Sequence, residues 1–76
     1  MDLKTNQLAL LFDELIDHQR TKVLKLAKAY YPDITPEDVR NPQDFPKLMQ
    51  DPNFNFEDGI LSGYLSAKMA VLARLR

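Results

Sequence analysis

The sequence predicts an all-α fold: a helical hairpin of two long helices joined by an irregular, Pro-rich connection that contains short helical turns. Three observations predict it. No glycine or proline occurs before Pro32, all five prolines lie between Pro32 and Pro52, and apolar residues recur at three- and four-residue steps on both sides of that region. No segment alternates polar and apolar residues for long enough to make a strand. The 76 residues are read as a single helical domain, residues 1–76.

The first helix is expected over residues 6–30. Thr5 or Asn6 offers a side-chain oxygen to the free first-turn N–H groups. Tyr31 precedes Pro32, and a residue before proline disfavours helical geometry, so the helix should stop near Tyr30. Leu8, Phe12, Leu15, Gln19, Val23, Leu26 and Tyr30 follow alternating four- and three-residue steps and so share one face. Leu11, Ile16, Leu24 and Ala27 widen it. Lys22, Lys25 and Lys28 complement the negative end of the helix dipole.

The connection, from Pro32 to about Asn55, excludes a continuous helix. Thr35-Pro36-Glu37-Asp38 reads as a cap, a proline at the first helical position and acids in the first turn. Asn41-Pro42-Gln43-Asp44 repeats that pattern, and Asp44 is a candidate cap for a short turn over residues 45–50. The stretch from Pro32 through Asp58 holds seven acids and two bases, whereas most of the positive charge lies in the flanking helices.

The second long helix is expected over residues 56–75, capped by Asn55, with Glu57 and Asp58 in its positive first turn and Lys68, Arg74 and Arg76 toward its end. Phe56, Ile60, Tyr64, Ala67, Val71 and Leu75 make one stripe, with Leu61, Leu65 and Leu72 beside it. Gly59, Gly63, Ala67 and Ala70 form a small-residue line that would let another helix approach. A glycine costs about 1 kcal/mol inside a helix, so Gly63 is expected to have a packing reason.

Motifs that carry chemistry are incomplete. Tyr64 and Lys68 have the Tyr-x-x-x-Lys spacing of short-chain dehydrogenases, but that chemistry needs a dinucleotide-binding sheet and a Gly-rich loop, and this chain has two glycines. Asp51-Pro52-Asn53-Phe54-Asn55 begins like a calcium loop, yet Phe56 stands where glycine is needed and Ser62 where the bidentate glutamate is needed. Glu14 and His18, one helical turn apart, lack the Glu-x-x-His spacing of di-metal bundles. No catalytic residue, cofactor or metal site is therefore expected.

The formal net charge of −1 gives no basis for a nucleic-acid or membrane partner. Apolar runs reach only five residues, too short to span a bilayer. Met1-Asp2-Leu3-Lys4 lacks a signal peptide's basic start, and the chain has no cysteine, so a cytoplasmic location is expected.

Association is the expected function. So short a chain buries too little apolar surface to exceed its ordering entropy comfortably, and oligomerisation is a common remedy. Both helices carry apolar faces wider than one partner needs, which predicts a homodimer forming a four-helix bundle, or docking of another protein. The candidate interface is Leu11, Ile16, Gln19, Leu24, Gly59, Gly63 and Ala67. Gln19, the one polar residue on the apolar stripe, is a candidate for fixing register. The alternative is a small ligand-binding or regulatory domain, with an aromatic-lined groove built from Tyr30, Tyr31, Phe45, Phe54, Phe56 and Tyr64.

Overall fold

The computed structural model describes residues 3–75, Leu3 by its backbone alone. Met1, Asp2 and Arg76 lie outside the described residues, and with them part of the N-terminal reading and the last basic side chain. Among the described residues there is no strand. Helix α1 runs Leu3–Lys28, α2 Pro36–Val39, a 3₁₀ turn Pro42–Asp44, α3 Pro46–Met49 and α4 Pro52–Arg74. The two long helices pack against each other as the hairpin the periodicity predicts.

Proline places every helix start after the first. Pro36, Pro42, Pro46 and Pro52 each occupy the first turn of their element, where a missing N–H is not needed. Thr35 and Asp38 form a reciprocal capping box at α2. At α3 the expected cap moves: Pro46 makes Phe45 the capping residue, so Asp44 falls one position too early and belongs to the 3₁₀ turn. At α4 the start moves four residues upstream. Asp51 accepts a hydrogen bond from the Phe54 N–H at 3.3 Å, and Pro52 follows at the first helical position. Asn55, expected to cap, lies inside the first turns and donates its side-chain amide to the Met49 carbonyl at 2.9 Å.

Helix α1 likewise starts before its expected caps. Thr5 lies within the helix and is buried, since nothing upstream of it in sequence breaks a helix. At the other end the Tyr30 and Tyr31 N–H groups both donate to the Ala27 carbonyl, and the regular helix ends at Lys28 rather than Tyr30.

The hydrophobic core sits at one end. Val23, Ala27, Ile34, Leu48 and Phe54 are buried together, and Tyr31, Val39, Phe45 and Leu61 pack around them. The connection supplies Ile34, ahead of α2, and Leu48 of α3, and so closes the hairpin at the Val23–Ala27 end. Toward the other end of the hairpin, among the described residues, only Thr5, Ile16 and Gln19 of α1 are buried. The molecule is accordingly long, 43 × 17 × 17 Å, with a radius of gyration of 14.4 Å. A compact chain of this length would have a radius of about 11 Å.

Candidate functional site

A helix rotates by about 100° per residue. Relative to the buried stripe Thr5, Ile16, Val23 and Ala27, that rotation puts Leu8, Leu11, Leu15 and Lys22 on one flank of α1, and Asp17, Thr21 and Leu24 on the other. On α4, Glu57, Ile60, Tyr64, Ala67 and Val71 fall on one flank, and Asp58, Ser62, Leu65 and Met69 on the other. Contacts fix which flanks adjoin. Gln19 Nε2 donates to both the backbone carbonyl and Oε2 of Glu57 at 2.8 Å, and Lys22 Nζ lies 3.6 Å from Glu57 Oε1. Hence the Lys22 flank and the Glu57 flank form one side of the hairpin, here called the open side.

The opposite side holds a cleft of about 600 Å³. Its walls are Val23 and Leu24 of α1, Leu61 and Leu65 of α4, and Pro36, Val39 and Pro42 from the connection. Charged groups gather around it: Asp17 and Arg20 on α1, Arg40 after α2, and Asp58 on α4. Burial against these apolar walls raises the Asp58 carboxyl above its ordinary range. Its carboxylate has no hydrogen-bond or ion-pair partner among the described residues. Arg40 makes a long, exposed contact of 3.9 Å with Glu37. The chemistry on offer is an apolar trough edged by both signs of charge, suited to holding an amphipathic group.

The expected interface residues do not form one surface. Leu11 is exposed on the open side, whereas Leu24 lies in the cleft wall: thirteen residues apart, they are rotated by about 220°. Ile16 and Gln19 are 3% and 4% exposed, held between the long helices, and so are unavailable to a partner chain. Gly59, Gly63 and Ala67 are exposed. Among the described residues a Cβ at either glycine would meet nothing within 4 Å, so neither serves a close approach between them.

The expected aromatic groove is divided. Tyr31 and Phe45 meet edge to face, centroids 5.0 Å apart, and with Tyr30 line a shallow recess beside Pro32 and Ile34. Lys47 closes over the Tyr31 ring at 5.7 Å, and its backbone N–H donates to the Tyr31 hydroxyl. Phe54 is fully buried in the core, Phe56 is 67% exposed, and Tyr64 is half-buried farther along α4. Aromatic side chains are scattered because Phe54 and Phe56, two residues apart on one helix, point about 160° apart. Sequence reasoning missed the cleft. The signal was present in Leu24, Leu61 and Leu65 beside the main stripes, which need a cover of their own.

Glu14 and His18 are both exposed. Among the described residues no three His, Asp or Glu side chains are grouped to hold a metal ion, and no helix is long and apolar enough to cross a membrane. No protein-family model matches this chain, and neither does any curated protein or solved structure.

Proposed function

We propose that the chain is a self-association module that pairs two hairpins into a four-helix bundle, with no catalytic role. The observation that supports it is surface area. The folded chain exposes 5656 Å², whereas a monomer of 8.8 kDa is expected to expose about 4,800 Å². The surplus of roughly 900 Å² is close to the ~800 Å² that each partner loses in a standard interface. Leu10, Leu11, Leu15, Met69 and Leu75 contribute to that surplus, with exposures of 39–73%. Two helices make only one layer, and a layer buries its outer apolar residues by packing on another. Sedimentation equilibrium from micromolar to millimolar concentration tests the reading. A mass of twice 8.8 kDa is expected, and a single monomeric mass throughout would refute it. The proposed setting is the cytoplasm, to be tested by fractionation of the native protein.

A second reading, a small ligand-binding or regulatory domain, is favoured by the cleft rather than by the aromatic residues. Its volume of about 600 Å³ lies within the range of small-molecule pockets, about 300–1,000 Å³. A fragment screen read by methyl shifts of Leu24, Leu61 and Leu65 tests it. Shifts confined to the Tyr31–Phe45 recess would move the ligand out of the cleft to that recess, and no shifts at all would count against the reading.

A further inference from the structure

We infer that a second copy of this chain seats on the open side of the hairpin, over a seam formed by Leu8, Leu11 and Leu15 of α1 and Tyr64, Ala67 and Val71 of α4. This rests on the self-association reading and adds the face. Three observations choose it over the cleft side.

The first is access. Pro36, Val39 and Pro42 rise beside α1 and α4 on the cleft side and stand in the way of another hairpin lying flat there. The connection is anchored on that side and at the Val23–Ala27 end, and the open side keeps Leu11 and Leu15 at 52% and 39% exposure.

The second is spacing. Leu8, Leu11, Leu15 and then His18 and Lys22 follow three- and four-residue steps, as do Glu57, Ile60, Tyr64, Ala67 and Val71. That heptad interval is what a helix presents to a second helix packed at a shallow angle. Each hairpin thus carries an outer seam in addition to the seam that holds its own helices together. Ala67 supplies a short side chain where a neighbouring helix can come close.

The third is charge. The six seam residues carry none, while Lys22 and Glu57, already paired with each other, stand at the edge. A two-fold axis brings the same patch from both copies together, so a neutral apolar centre with a satisfied polar border is self-complementary. The surplus belongs to the whole surface, Leu10 and Met69 included, so it supports a second copy as the occupant while access, spacing and charge choose the face.

Leu10 and Met69 provide a stringent control: they are more exposed than Leu11 and Leu15, at 62% and 73%, but helical rotation puts Leu10 on the Asp17 and Leu24 flank of α1 and Met69 on the Asp58 and Leu65 flank of α4. If α-helical rotation decides the interface, Leu11→Asp and Leu15→Asp should each raise the dimer dissociation constant at least about tenfold. Leu10→Asp and Met69→Asp should change it less than about threefold. Circular dichroism of each variant verifies that the hairpin still forms, and isotope-filtered NMR of the unsubstituted protein should show contacts between Leu11 methyls of one copy and Tyr64 or Val71 of the other. A dimer broken by Met69→Asp and indifferent to Leu11→Asp and Leu15→Asp would overturn the seam and leave self-association standing. An unsubstituted chain that stays monomeric to millimolar concentration would remove both.

Discussion

Gln19 of α1 donates its amide to two oxygens of Glu57 on α4, the backbone carbonyl and Oε2, each at 2.8 Å. The same carboxylate receives Lys22 at 3.6 Å. A buried amide in an apolar seam is tolerated only when its hydrogen bonds are made, and these are made across 38 residues of sequence. The pair therefore specifies how far α1 slides along α4. Gln19→Ala should cost about 1–3 kcal/mol in denaturant unfolding, through lost hydrogen bonds and the space left behind. Gln19→Leu fills the space and should cost less than the alanine variant. Equal losses for the two would assign the effect to the hydrogen bonds alone.

Phe54 and Phe56 make a matched pair for the core. Phe54 is fully buried and Phe56 is 67% exposed. At a concentration where the chain is monomeric, Phe54→Ala should cost about 3–5 kcal/mol, a large part of a small domain's stability. Phe56→Ala should stay within about 0.5 kcal/mol. Thermal or urea unfolding of both variants checks this, and comparable losses would contradict the placement of the core.

Among the described residues, no atom of another part of the chain lies within 4 Å of where a Cβ at Gly63 would stand. Its helical conformation needs no glycine either, since φ is not positive there. Gly63→Ala should therefore stabilise α4 by roughly 0.5–1 kcal/mol, the ordinary difference between the two residues in a helix. The expectation of a packing reason for this glycine is not met inside the hairpin. Destabilisation by alanine, measured at monomeric concentration, would show a contact at that position after all.

Asp58 should make stability depend on pH in an unusual direction for an acid. Its carboxyl is raised by burial, so the folded state holds the proton more tightly than the unfolded one. The associated stability is fully present below the carboxyl's ordinary value of 3.8 and is lost as pH rises through the higher folded value. Asp58→Asn removes the penalty of ionising beside Leu61 and Leu65. Its stability relative to the unsubstituted chain should grow as pH is raised from about 3 to 7, in line with a raised carboxyl. A difference that is constant with pH, or that shrinks, would contradict this.

The class of fold and most of its punctuation follow from local features of the chain. Prolines exclude a strand-rich or single-helix answer, and a cap followed by proline marks the start of α2 and, at Asp51-Pro52, the start of α4. These signals act within a few residues along the backbone, so they can be read without a partner. Asp51-Pro52 carries the same cap-proline pattern as Thr35-Pro36, which places the start of α4 four residues ahead of the one that Asn55 would cap.

Which apolar residues look inward, into the cleft or out to solvent is settled by long-range packing. Leu11, Ile16 and Leu24 look alike as hydrophobic neighbours of one stripe, yet they end up exposed, buried and in the cleft wall. The choice depends on where the connection folds back, and that is set by long-range packing of Ile34 and Leu48 against Val23, Ala27 and Phe54. Helical rotation gives each side chain its angle, but the side that becomes covered is chosen by the element that lands on it.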